Sequence, residues 1–416
     1  MREKLSQNRV LKFFFLFLLL LITFSYAMFQ GGFVSWFLFY AFVPFVIYSL
    51  ALLFYPLDGI KMTRTINKME LVDGQELKVT IHVTRANRFP LFYLIVEDLL
   101  PERLFPLASE QSSRYQRGSL ALLFPMFKKE LTYSYHINPI PRGEYHFHSL
   151  RCKAGDMFGF VQHEKKLKVE QSVYVLPNYQ SITWTPYRQQ LSGTRPSPRK
   201  ADFDYSTAVS VRDYVPGDKL SWIDWKSTAK STKLLTKQFE QQVSRDFMLF
   251  LDREEKHYGR DYSPLFEKAV RLAASITHAA LKQNAMIGVV SSGRDHTVLS
   301  VNGGKAQRRR IFHHLARVSP NGTSSFDTVI KREAHHFPAG TGVFIVSPSL
   351  DAVFLSTLKE LVSRKVQVEF FYVTENIKLA EQAELNKLIQ FGVKVHAISG
   401  EVFNEELKVG GKRATN

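Results

Sequence analysis

One cysteine, Cys152, occurs in 416 residues, so no internal disulfide can form and the chain suits a reducing compartment. No His/Cys spacing has the form of a zinc site. A phosphate-binding loop is also lacking: Gly303-Gly304-Lys305 has neither the upstream glycine nor the following Ser or Thr that such a loop requires. Ser291-Ser292-Gly293 lacks the flanking glycines of a nucleophile elbow and reads as the end of a strand. Acidic residues are outnumbered, 38 Asp and Glu against 55 Lys and Arg, leaving a formal charge of +17. That excess fits anionic lipid, nucleic acid or an acidic protein partner. No nucleic-acid motif or aromatic platform accompanies it, so nucleic acid is the least favoured of the three.

Charge is also missing where the chain is most apolar. From Phe13 to Phe29, and again from Phe33 to Tyr55 after Gln30-Gly31-Gly32, the sequence is almost wholly hydrophobic. Each run approaches the length that crosses a bilayer, and the pair reads as a helical hairpin with Pro44 as a kink site in its second arm. Arg2, Lys4, Arg9 and Lys12 precede it, Lys61, Arg64 and Lys68 follow it, and the connecting turn is uncharged. The positive-inside rule then puts both termini and the large domains in the cytoplasm, on a multi-pass protein of the cell membrane. The competing reading is a signal peptide with Ser25-Tyr26-Ala27 as its cleavage site.

After the hairpin, alternating runs such as Leu77 to Val83 and Tyr133 to Ile137, punctuated by Asp73-Gly74 and Pro141-Arg142-Gly143, predict an antiparallel β-sandwich. His136, His146, His148 and His163 fall in this part with no metal-site spacing and read as ordinary strand residues. The Ser/Gly/Pro-rich stretch Ser192 to Arg199 reads as a linker. From Asp246 the rhythm becomes β and α in turn. Strands are expected at Phe247–Leu251, Met286–Ser291, Val343–Val346, Val366–Tyr372 and Val393–Ile398. Helices are expected at Pro264–Gln283, Gly304–Val318, Asp351–Arg364 and Ile377–Phe391, giving a mainly parallel, doubly wound sheet. Function in such sheets gathers at the carboxyl ends of strands, where Asp252 stands. The division is an anchor over residues 1–60, a sandwich over 61–190, a linker and loop over 191–245, an α/β domain over 246–405 and a tail over 406–416.

The densest chemistry lies in Val211 to Lys230, VRDYVPGDKLSWIDWKSTAK. Pro216-Gly217 sets a tight turn, with Arg212, Asp213, Asp218, Asp224 and Lys226 around it and Tyr214, Trp222 and Trp225 interleaved. One reading pairs Arg212 and Lys226 with the acids and packs Trp222 and Trp225 into a seam between domains. The other makes Arg212, Asp213, Tyr214, Asp218, Asp224, Trp225 and Lys226 a surface for a protein partner. The helix near Gly304, with Lys305, Arg308, Arg309, Arg310, His313, His314 and Arg317, reads as a solvated basic face or as an anion-attracting one.

These residues carry a family resemblance. Arg212-Asp213-Tyr214, Pro216-Gly217-Asp218, Ile223-Asp224-Trp225-Lys226, Ala229, Gln238-Phe239-Glu240 and a strand ending in Asp252 resemble the family named domain of unknown function 58. Arg142-Gly143-x-Tyr145 and Asp156-Met157-Phe158-Gly159-Phe160 are similar to its RGxY and DPFGL signatures, with Met157 in place of proline. The resemblance implies a two-helix anchor, an immunoglobulin-like sandwich and a von Willebrand factor A-like α/β domain. It also implies company with a MoxR-type AAA+ ATPase. A-type domains hold a divalent cation through a first-strand DxSxS, a later Thr and a later Asp; here Asp252 and Thr323 remain. Glu254 and Lys256 replace the serines, and Ser347-Pro348-Ser349 follows the strand where Asp is expected. The expectation is a degenerate site without metal, no cofactor and no enzymatic activity, in a membrane-anchored bacterial protein-binding or adaptor protein. The alternatives are a metal-dependent hydrolase using the loop acids and a structural envelope protein.

Overall fold

A computed structural model describes residues 9–109, 112–113, 116–182, 208–216, 218, 220–239, 246–259, 263–335 and 342–403. Ser192 to Arg199, Gly217 and the 406–416 tail lie outside the described residues. The chain divides into two compact units, one of residues 1–178 with 312–318, the other of 179–311 with 319–416.

The first unit opens with helices Arg9–Gln30 and Phe33–Leu53. Both are long and apolar enough to cross a membrane, over Leu11–Gln30 and Phe33–Leu53. Gly31 takes a positive φ of 61° between them, a conformation that glycine adopts without steric cost. The second helix continues across Pro44, and Ser25-Tyr26-Ala27 lies inside the first.

Two sheets follow. Strand Leu77–Arg85 pairs antiparallel with Ile60–Ile66 on one side and Glu130–Ile137 on the other. The second sheet has seven strands in the order Glu70–Val72, Gln162–Leu176, Gly143–Gly155, Tyr93–Asp98, Leu120–Leu123, Gln116–Arg117 and Ser112–Ser113. Its first pairing is parallel and the rest antiparallel. Alternation does the sorting: Val79, Ile81 and Val83 from one sheet and Val96, Phe147 and Leu150 from the other are buried in a single core. Within that core Arg64 donates twice to Asp98, at 2.6 and 2.8 Å, and Tyr135 donates to the same carboxylate at 2.7 Å. Leu52, Leu53 and Tyr55 join the same core, so the end of the second helix is built into the sheet domain.

The second unit carries a six-stranded sheet in the order His296–Asn302, Met286–Ser292, Asp246–Leu251, Gly342–Ser347, Gln367–Val373 and Lys394–Ile398. All pairings are parallel except that of the His296–Asn302 edge strand. Central strands such as Gly342–Ser347 are buried on both faces, as a sheet covered on two sides requires. Helices Phe326–Ala334, Ala352–Ser363 and Leu379–Gln390 pack Phe326, Phe354 and Leu388 against Phe250, Ile345 and Phe370. Helix Pro264–Lys282, with Pro264 in its first turn where no amide bond is lost, lies against the central strands. The edge strand and helix Phe326–Ala334 add to the expected elements. In the first, Val298 beside Leu299 breaks the alternation, and the second is only nine residues long, so neither gives a strong periodic signal.

Candidate functional site

The signature segment folds as a two-stranded hairpin of Ala208–Asp213 against Leu235–Phe239. The Asp218 amide donates to the Val215 carbonyl at 3.0 Å, closing the turn expected around Pro216. Beyond it come a 3-10 turn, Leu220–Trp222, and a one-turn helix, Trp225–Thr228. Asp224 caps this helix: its carboxylate accepts the Ser227 amide at 3.0 Å while its own amide donates to Leu235 on the return strand.

The three loop acids have separate partners. Asp218 accepts from the Arg212 guanidinium at 2.7 Å and from the Val215 amide at 3.2 Å. Against some desolvation, these bonds and the Arg212 charge hold its carboxyl below the usual range. The Ser227 amide above all lowers the carboxyl of Asp224. Asp213 faces Lys233 at 3.5 Å in solvent. Among the described residues these three acids do not form a group whose oxygens lie within 4.8 Å of one another, as shared binding of a water-activating metal would need.

The apolar side chains of the segment differ in exposure. Ile223 is buried, but Trp225 is 66% exposed and Leu220 71%, with Val215 and Leu234 also open to solvent. Trp225 is thus not packed into the core of its own unit, and Lys226 beside it is exposed. Tyr214 is half-buried, its amide bonded to the Leu234 carbonyl. The segment thus exposes Val215, Leu220, Trp225 and Leu234, and Arg212, Lys226 and Lys230 of the same segment are exposed as well.

Asp252 follows strand Asp246–Leu251 at the carboxyl edge of the six-stranded sheet and is wholly buried. One oxygen accepts the Glu254 amide at 2.9 Å; the other accepts His257 Nδ1 at 2.7 Å and the Ser347 hydroxyl at 2.6 Å. Glu254 accepts the Phe326 amide at the start of helix Phe326–Ala334, a favourable place for a carboxylate, and Lys256 pairs with Asp351 at 3.0 Å. Burial alone would lower the His257 pKa, yet the Asp252 bond and the charges of Asp252, Glu254 and Asp351 together raise it. Asp252, Glu254 and His257 are the group among the described residues whose ligand atoms, all within 4.8 Å of one another, could hold a metal ion. The donors do not fit the oxygen-rich set that a hard cation takes in A-type domains: an imidazole and an ammonium stand near the carboxylates, and Thr323 is exposed. His257 was invisible to motif reasoning. It lies five residues past Asp252 and reaches back only because Glu255–Tyr258 forms a helical turn.

The two upstream signatures have structural jobs. Arg142 is buried and donates to the carbonyls of Leu315, Ala316 and Val318 at 2.6, 3.3 and 2.9 Å, satisfying the end of helix Gly304–Arg317 with a cation. Gly143 leaves room for the Tyr145 ring, 3.0 Å from where a Cβ would be, and the Tyr145 hydroxyl donates to the Pro141 carbonyl at 2.8 Å. Asp156 accepts the Ser49 hydroxyl and the Val161 amide, at 3.0 and 2.8 Å, tying the second apolar helix to the turn before Phe160.

On the basic helix, Arg317 pairs with Glu144 at 2.8 Å and lies over the Tyr174 ring, Arg308 lies over Tyr179, and His313 meets Glu70. Lys305, Arg309 and Arg310 are exposed. The strand histidines are likewise dispersed: His136 on Glu76, His146 on Ser172, His163 on the Leu52 carbonyl.

Comparison with known proteins adds the following. The family model described as protein of unknown function DUF58 matches residues 210–376, a span that begins in the hairpin and continues through most of the six-stranded sheet. An uncharacterised protein of Bacillus subtilis (strain 168), YeaD, is 39% identical over 306 residues, covering 73% of this chain and 74% of that protein. Among solved structures, the bacterial hydrophobin BslA aligns at 12% identity and a TM-score of 0.21 over 30% of this chain and 100% of its own. Proximal thread matrix protein 1 from the mussel byssus aligns at 12% and 0.29 over 40% and 46%. Scores this low carry no argument.

Proposed function

Because the chain belongs to the DUF58 family of proteins of unknown function, we propose that it is a membrane-anchored protein-binding or adaptor protein. In this reading its partner is a MoxR-type AAA+ ATPase acting in assembly or envelope processes. The observation that carries it is the hairpin, where Trp225 and Leu220 are exposed while Asp218 and Asp224 are engaged in holding the loop. An exposed tryptophan in a segment that also exposes arginine and lysine has the composition of a protein-binding hot spot rather than of a reaction centre.

The finer fold reading goes with it. The two-sheet part is taken as immunoglobulin-like and the six-stranded part as von Willebrand factor A-like, with its cation position replaced by the Asp252–His257 pair. The apolar helices form a two-span anchor with both termini and the sheet domains in the cytoplasm. The basic residues flanking the helices support that orientation.

Affinity capture of the tagged full-length protein from gently solubilised membranes, with and without ATP, tests the proposal. It expects an AAA+ ATPase whose recovery depends on nucleotide. Recovery of envelope proteins alone would move the weight to a structural role. Hydrolysis of phosphoesters or peptides with magnesium, manganese or zinc, abolished by replacing Asp213, Asp218 or Asp224, would establish the hydrolase alternative instead.

A further inference from the structure

The membrane face of the first unit is larger than its two helices. Helix Phe33–Leu53 does not end at the bilayer surface, since Leu52, Leu53 and Tyr55 are buried in the core of the sheet domain. Up to Tyr48 it offers about 16 residues, or about 24 Å at 1.5 Å per residue, short of the roughly 30 Å of a hydrocarbon core. A short span is accommodated by local thinning or by apolar surface beside it.

Such surface is present. The turn after Asp156 runs alongside the helices: the Phe158 ring is 5.3 Å from Phe45, and Phe160 is 5.8 Å from Phe15 of the first helix. Gly159 takes a φ of 77°, a turn conformation that leaves Met157 and Phe158 outward, 62% and 52% exposed. A second turn flanks the same helix. Tyr48 packs on Phe89 and Phe92 and donates to the Pro90 carbonyl at 3.1 Å. Leu91 in turn exchanges backbone bonds of 3.2 and 2.9 Å with Met126, holding Phe124, Met126 and Phe127 outward, the last 60% exposed. Arg88, Lys128 and Lys129 are exposed next to that apolar tip. Apolar tips with basic residues immediately behind them match the layering of hydrocarbon and anionic headgroups.

We propose that Phe124, Met126, Phe127, Met157 and Phe158 form an apolar rim that inserts into the bilayer around the base of the second helix. Arg88, Lys128 and Lys129 then lie at the headgroups. The occupant of this face is lipid, because the rim is continuous with the spanning helices. The inference rests on the anchor reading and deepens it: the sheet domain is seated in the membrane surface rather than tethered above it, which fixes the orientation it presents to a partner.

Single cysteines carrying an environment-sensitive nitrobenzoxadiazole dye test this in the full-length protein. It is reconstituted in vesicles of phosphatidylcholine and phosphatidylglycerol, with and without acyl-chain doxyl lipid as quencher. The native Cys152 is buried, and burial pushes its thiol up to about 11, so introduced thiols label selectively. Positions are Phe127→Cys and Phe158→Cys, with Met157→Cys repeating the second turn without removing a ring. Ile47→Cys reports the second helix and Asn386→Cys the exposed face of helix Leu379–Gln390. The expected result is loss of fluorescence at 127, 157 and 158 comparable with that at 47, and none at 386. Quenching at 47 with 127, 157 and 158 behaving like 386 overturns the rim while leaving the anchor standing. A blue-shifted but unquenched dye at 127 or 158 assigns that turn to protein rather than lipid and overturns it equally. Absence of quenching at 47 as well removes the anchor reading itself.

Discussion

The imidazole of His257 and the buried carboxylate of Asp252 lie 2.7 Å apart, at the carboxyl edge of the six-stranded sheet. The bond places a protonatable ring beside the carboxylate that follows strand Asp246–Leu251. Ser347, on the neighbouring strand, donates to the same oxygen, so the carboxylate is held by side chains of this chain.

A pH dependence follows. The folded His257 pKa is raised, so its contribution to stability is fully present below the unfolded imidazole value of about 6.5 and is lost as pH rises through the folded value. His257→Gln should lower the thermal midpoint most at about pH 6, by the equivalent of about 1.5–3 kcal/mol for a hydrogen bond to a charged group. The gap to wild type should narrow towards alkaline pH. Thermal unfolding of the detergent-solubilised protein across that range checks it, and a gap that widens with pH contradicts the assignment.

Arg142→Ala should destabilise the first unit by about 1–3 kcal/mol, because buried carbonyls at the end of helix Gly304–Arg317 lose their donor. Arg142→Lys should recover part of the loss, since the three bonds come from one guanidinium nitrogen, Nη1, and an ammonium supplies donors from a single point but on a shorter side chain. Hydrogen exchange should show the change first at the amides of the last helical turn. Unaltered protection there would remove the capping role.

In the hairpin, stability and binding should separate. Trp225 is largely exposed, so Trp225→Ala should change stability by no more than about 0.5 kcal/mol. It should nonetheless abolish partner capture. Asp224→Ala should loosen the Trp225–Thr228 turn, read as faster amide exchange at Ser227 and Thr228. The Asp224 carboxyl is held low, so the same loosening should appear in wild type as pH falls through its folded value.

The sheet domains should be digested by protease added to inverted membrane vesicles and protected in right-side-out ones. The basic residues on both flanks of the helical pair and the uncharged turn between them lead to that orientation. Protection in inverted vesicles would reverse it and revive the signal-peptide reading at Ser25-Tyr26-Ala27.

Much of this architecture was legible in the residues. The apolar runs before Lys61, the alternation at Leu77–Val83 and the β-α rhythm after Asp246 are periodic signals long enough to read, and the structure has elements there. Strand Gln162–Leu176 was not evident. Its lysine-rich first half is polar on both faces, and only pairing with Gly143–Gly155 makes it a strand. At the site, the Pro216 turn and the acids of the hairpin were visible, but their partners were not. Whether Asp224 caps, coordinates or catalyses depends on the backbone amides folded towards it, and linear spacing does not encode that. Trp225 illustrates the same limit: its composition suits a core or a surface equally, and only the fold exposes it. Arg142 was recognisable as part of a signature, yet its targets lie more than 170 residues away.

The most direct test of the central claim is a photo-cross-linking amino acid, benzoylphenylalanine, placed at Trp225 in the full-length protein in living cells, with Asn386 as the control position. The account predicts an adduct with an AAA+ ATPase at 225 that is absent at 386 and changes with cellular ATP. Adducts that are the same at both positions, or that contain no ATPase, would contradict it.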